Sequence, residues 1–87
     1  MAEFLLELYV PASEAGAVAQ RAGRADLAAQ RLRQGGASVR YLRSIFMPAD
    51  ETCFLVYEAR SENDVRLAAW LAGLPADHIV EMLETHA

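Results

Sequence analysis

The sequence predicts an α+β fold in which a four-stranded antiparallel sheet carries two helices on one face. Three observations lead there. Segments of two-residue apolar alternation and segments of three- and four-residue spacing follow one another in the order β-α-β-β-α-β. Turn and stop signals separate them, at Pro11, Gly35-Gly36, Pro48 and Gly73-Leu74-Pro75. The chain has 87 residues, 54 % of them hydrophobic, which suits one core and one domain spanning 1–87.

The first strand is Glu3 to Val10, with Phe4, Leu6, Leu8 and Val10 on one face and Glu3, Leu5, Glu7 and Tyr9 on the other. Pro11 ends it. Ser13 is the expected cap of a helix running to about Gln34, with Glu14 opposing the dipole in its first turn. Ala15, Val18, Ala22, Ala25, Ala29 and Leu32 form its apolar stripe. Small residues there let the helix sit close to a sheet. Gly35-Gly36 stops it. Ser38 to Met47 is the second strand. Both of its faces mix polar and apolar residues, so alternation alone leaves its orientation open. Pro48 to Glu51 is a turn, and Thr52 to Arg60 the third strand, completing a hairpin. Cys53, Leu55, Tyr57 and Ala59 lie opposite Phe54, Val56 and Glu58. Ser61 caps the second helix, with Asp64 as its capping-box partner. This helix is apolar nearly all round, which predicts cover on more than one side. The last strand is His78 to Glu84.

This order is that of the split βαβ, or ferredoxin-like, fold. Right-handed crossovers are expected to set the first strand beside the third in parallel. Both helices then cover one sheet face. The other carries Leu5, Phe54, Val56 and either Ile79 or Leu83. Apolar surface of that extent calls for cover, and the economical cover is the same face of a second copy. A homodimer of α+β barrel type is the expected assembly.

Composition narrows the partners. Eight basic residues, all arginine, stand against twelve acidic ones for a net charge of −4. Such a surface repels phosphate backbones, so no nucleic-acid partner is expected. No apolar run approaches the ~20 residues of a membrane span, so no membrane partner is expected and the location read is cytoplasmic. The one cysteine, Cys53, permits neither an internal disulfide nor a cysteine-based zinc site. Phosphate loops, dinucleotide glycine motifs and serine elbows are missing from the sequence.

Several residues remain candidates for chemistry. Glu7, Glu58 and Glu81 are read as neighbours on the open face, where Arg40 or Arg43 would neutralise Glu58. His78 and His86 stand roughly 26 Å apart if the chain is extended, too far to share a metal within one subunit. Cys53 reads as a buried apolar group. Tyr9, Tyr41, Tyr57 and Trp70 form an aromatic and polar set suited to a cleft between sheet and helices.

The segments Val56-Tyr57-Glu58-Ala59, Ser61-Glu62, Val65-Arg66, Ala72-Gly73-Leu74-Pro75-Ala76-Asp77 and Ile79-Val80-Glu81 carry a family resemblance. Arg24 to Gln30 and Arg43-Ser44 fit it too. The chain resembles a bacterial family of small ferredoxin-like proteins of unknown function, part of which is described as nickel-binding. That resemblance implies the fold and dimerisation. It also implies a histidine three residues before the first-helix aspartate, where this chain has Gly23, and another shortly before the second helix stop, where it has Ala68-Ala69-Trp70-Leu71. A family cysteine three residues before the strand-three glutamate corresponds to Leu55 here. Nickel favours imidazole nitrogen, so the metal ligands do not carry over.

The resulting expectation is a small cytoplasmic homodimer that binds a small-molecule ligand without catalysis, cofactor or metal. Tyr41, Arg43, Tyr57, Glu58 and Trp70 are the expected ligand-binding residues, with Arg43 or Glu58 as polar anchor. The alternative is a cofactor-free isomerase, cyclase or oxygenase of a hydrophobic metabolite, with Glu58 or Tyr57 in proton transfer. A third class is a metal-binding protein using Glu7, Glu58 and His78.

Overall fold

Six regular elements build the molecule, in the computed structural model that describes residues 1–83: β1 (Ala2–Tyr9), α1 (Ala17–Gln34), β2 (Val39–Met47), β3 (Thr52–Ala59), α2 (Glu62–Leu71) and β4 (Ile79–Met82). The order is the one the sequence predicts. Glu84, the expected end of the last strand, and His86 lie outside the described residues.

The sheet runs β2-β3-β1-β4, and every pairing is antiparallel. The first strand lies beside the third, as expected, but not in parallel with it. The crossover through α1 makes β1 and β2 point the same way. β3 then turns back between them and opposes both.

Register fixes the two faces. Phe4, Leu6 and Leu8 of β1 stand opposite Tyr57, Leu55 and Cys53 of β3, and all six are buried beneath the helices. In β2 the alternation changes phase. Tyr41 pairs with Tyr57 but Arg43 pairs with Val56, so the ladder holds a bulge at Leu42. Val39, Tyr41, Ser44 and Phe46 therefore share the helix-side face, while Arg40, Arg43, Ile45 and Met47 share the open one. The bulge explains why strict alternation leaves this strand without a clean polar face. In β4, Ile79 stands opposite Leu6 and packs on the core, so Val80, not Ile79, faces the open side with Leu5. Glu81 stands opposite Phe4 and is likewise absent from the open face.

Both helices reach the sheet through alanine. Ala25, Ala28 and Ala29 of α1 and Ala68 and Ala69 of α2 are buried, with Val65 beside them. Short side chains bring the helix axes down onto Leu6, Leu55 and Tyr57. The start of α1 differs from expectation. Ser13 sits inside a 3₁₀ turn, Ala12–Glu14, closed by the Glu14 amide donating to Pro11 O at 2.8 Å. The helix proper follows Gly16 without a side-chain cap, and Ala15 is exposed before it. The Ala12 amide donates instead to the Glu51 carboxylate at 2.9 Å, and the Val10 amide to Glu51 O at 2.9 Å. Glu51 holds these two bonds from a left-handed conformation, φ 50°. α2 starts as expected, with Ser61 Oγ accepting from the Asp64 amide at 3.3 Å. Its cover is one-sided, however. Val65, Ala68, Ala69 and Ala72 face the core, while Leu67, Trp70 and Leu71 are exposed. The i, i+3, i+4, i+7 stripe satisfies the core, and the remaining apolar residues have no layer to meet.

Tyr57 heads the largest fully buried side chains, and its hydroxyl finds no hydrogen-bond partner among the described residues. Burial, with a smaller contribution from nearby Tyr41, pushes its ionisation well above the ordinary tyrosine value. Because its proton is held more tightly in the folded state, its contribution to stability is intact below about pH 10 and is lost as pH rises beyond. Tyr57→Phe should raise stability by about 1 kcal/mol at neutral pH, since it removes an unpaired buried hydroxyl. Urea midpoints should also show the variant losing less stability than the parent above about pH 10. Equal alkaline slopes in parent and variant would refute this account.

Candidate functional site

None of the depressions described below opens beside Tyr41 or Tyr57, between the sheet and the helices. Tyr41 and Tyr57 fill that space edge to face, ring centroids 6.0 Å apart at 76°, and the Tyr41 hydroxyl hydrogen-bonds Ser44 Oγ. Two of the five sequence-predicted ligand residues are therefore brought together, inside the core. Arg43 and Glu58 lie on the opposite face of the sheet, and Trp70 projects from α2 with 78 % exposure. The five do not line one cavity. Alanine-mediated contact closes the space that a ligand would need, and the inward stripe of α2 turns Trp70 away from it.

The open face reads as four rows across the strands. Arg40, Glu58, Glu3 and Met82 make the first; Arg43, Val56, Leu5 and Val80 the second. Ile45, Phe54 and Glu7 make the third; Met47, Thr52 and Tyr9 the fourth. Glu58 is flanked by opposite charge on one side and like charge on the other, but no ion pair closes on this face. Among the described residues the one salt bridge is Arg66–Glu62, 3.1 Å, on α2. Val56 is fully buried on this face without helical cover, while Ile45 next to it is 42 % exposed.

Five depressions of 170 to 580 Å³ stand out on the described surface. The widest, 580 Å³, lies beside Trp70, with Leu67, Leu74, Pro75 and Asp77 in its wall. A second, 290 Å³, is lined by Arg21 and Arg24 together with Leu8, Tyr9, Leu74 and Pro75. Sequence reasoning missed these two arginines. Their signal is the i, i+3 spacing that puts both on one side of α1. A third depression, 250 Å³, has Glu7 and His78 in its lining with Asp50 and Glu51. Glu58 is four residues from Phe54, the partner of Glu7, so the trio Glu7, Glu58 and His78 does not assemble. None of the five depressions is lined by Tyr57 or Glu58.

The residues present do not fit a metal centre within one chain. Among the described residues no three His, Cys, Asp or Glu side chains converge. Cys53 is fully buried, and burial pushes its thiol up, with Arg21 pulling weakly the other way. A protonated, enclosed thiol is a poor metal ligand. No helix among the described residues is long and apolar enough to cross a membrane.

The family model described as nickel responsive protein SCO4226-like matches residues 5–82. The crystal structure of SCO4226 from Streptomyces coelicolor A3(2) superposes with a TM-score of 0.74 at 24 % identity, covering 98 % of this chain and 100 % of that one. No curated protein matches the sequence.

Two surface properties follow from this geometry. Trp70, the single tryptophan, should emit near the wavelength of free indole and be quenched freely by acrylamide, and Trp70→Ala should change stability by no more than about 0.5 kcal/mol. Cys53 should resist thiol reagents until the protein is unfolded. A blue-shifted, shielded tryptophan or a rapidly titrated native thiol would contradict the placement of these residues.

Proposed function

The chain belongs to the SCO4226-like family of nickel responsive proteins, and from that premise we propose that it acts as a cytoplasmic homodimeric binding protein without catalysis. The observation that carries this reading is the open sheet face. Its middle rows are mostly apolar, with Val56, Leu5, Val80, Ile45 and Phe54 beside Arg43 and Glu7. Its charges are segregated: Arg40 and Arg43 lie on the outer strand β2, and Glu3, Glu7 and Glu58 on the inner strands β1 and β3. A two-fold axis lying between two such faces sets the apolar rows of one copy against those of the other, with the arginines and carboxylates in the same contact. Arg43 and Glu58 are then interface residues, and the binding surface for a ligand is the helix side with its loops, where Trp70 stands exposed.

A role like that named for the family, response to nickel, would need ligands that one chain does not bring together. Gly23 and the Ala68 to Leu71 segment stand where the resemblance implies imidazoles. The divergence supports a ligand other than nickel. No observation favours the enzymatic alternative. Tyr57 and Glu58 are adjacent in sequence and so lie on opposite faces of β3, and burial holds the Tyr57 proton too tightly for transfer near neutral pH.

Sedimentation velocity at micromolar concentration should give twice the 9.5 kDa chain mass. Ile45→Glu, at an exposed position of the face, should weaken association at least tenfold, about 1.4 kcal/mol, while leaving the circular dichroism spectrum intact. A parent protein of single-chain mass would overturn the dimer. Native mass spectrometry of protein purified without a nickel column should show no nickel adduct, and a stoichiometric adduct would overturn the divergence.

A further inference from the structure

We propose that the depression between the second turn of α1 and the loop after α2 binds a small organic anion with an apolar body. This deepens the binding-protein reading by naming a ligand class, and of the open sheet face it uses only Tyr9, the last residue of β1. Carboxylates outnumber arginines twelve to eight in the chain. Yet this 290 Å³ depression is lined by two arginines, Arg21 and Arg24, and by no carboxylate. α1 itself concentrates positive charge, with four arginines against one aspartate. Arg21 donates one weak bond, Nη1 to Tyr9 O at 3.4 Å, and keeps its other donors. The Arg24 guanidinium has no hydrogen bond or ion pair among the described residues. Two like charges one helical turn apart repel, and an anion between them removes that repulsion while taking up the planar, forked donors.

The rest of the wall selects against a bare inorganic ion. Leu8, Leu74 and Pro75 supply an apolar lining beside the guanidinium groups, and Tyr9 adds the carbonyl that Arg21 binds. The volume stands at the lower end of small-molecule pockets, on the order of 300 Å³, enough for one ring or a short chain. The far wall is held in place. The Leu74 amide donates to Ala69 O at 2.9 Å and the Gly73 amide to Trp70 O at 3.0 Å, with Gly73 at φ +72° closing α2. Arginines on a regular helix facing a fixed loop make a site that requires little rearrangement to bind. The class that fits is a ring-sized carboxylate or phosphate monoester.

The test is a titration of the full-length ¹⁵N-labelled protein by NMR with three probes: phenyl phosphate, inorganic phosphate and benzyl alcohol. Phenyl phosphate is expected to shift the Gly73 and Leu74 amides saturably. The two half-ligands are expected to bind at least about tenfold more weakly. Arg24→Gln should weaken phenyl phosphate by a similar factor, about tenfold. Arg60→Gln, which removes the same charge at the opposite end of the sheet, should leave it unchanged. No saturable shift at those amides, equal binding of inorganic phosphate, or equal losses in the two variants would overturn the site. Sedimentation of the same samples separates this from the dimer: a monomer that binds sinks only the dimer, and a dimer that fails to bind sinks only the anion site.

Discussion

A sheet has two faces, and the helices of this chain cover one. That constraint organises everything else. Ala25, Ala28, Ala29, Ala68 and Ala69 are buried in one core cluster with Leu6, Leu55 and Tyr57, which leaves the covered side well filled. It has room for a buried phenol but not for a ligand. Binding surfaces must therefore lie outside that layer. The structure offers the uncovered strands, with Val56 already sunk among its neighbours, and the loop-and-helix rim where Arg21, Arg24 and Trp70 reach solvent.

Much of the architecture was legible because β1 and β3 alternate cleanly and the stops between elements are strong. Ser61 announced α2, and Pro48 the hairpin turn. The failures have physical causes. One extra residue at Leu42 reverses the phase of β2, and no periodicity argument tolerates a change of phase within one strand. Ser13 carries the chemistry of a cap, but the Glu51 carboxylate takes the Ala12 amide and the chain makes a 3₁₀ turn first. The antiparallel direction of β1 and β3 follows from the hairpin, which turns β3 back against β2, and not from the crossover alone. Ile79 and Val80 are both apolar, so β4 had no polar marker to show which of them turns inward.

The candidate site was less legible than the fold. Chemical suitability groups aromatic and charged residues, whereas sheet parity and helix phase decide which of them meet. Tyr57 and Glu58 are consecutive and so cannot share a side. Trp70 follows Ala69, and the stripe that buries Ala69 carries Trp70 outward. Arg21 and Arg24 were visible as a spacing on α1, but their significance depends on Leu74 and Pro75 coming back across the end of the sheet, which spacing alone does not reveal. The family assignment and the ligand set also part company. Family membership follows from the shared chain pattern, while a metal centre needs particular donors at particular places, and among the described residues they do not converge.

The irregularity at Leu42 has a kinetic side as well. A regular two-stranded hairpin of alternating residues can slide by two positions and still keep its oily side inward. Here a hairpin formed without the bulge keeps one phase through β2, and either phase drives an arginine, Arg40 or Arg43, under the alanines of the helices. Misaligned hairpins are thereby penalised by charge burial as well as by lost pairing. The defect in the ladder acts as an alignment key, leaving the folding chain one frame in which β2 and β3 zip together.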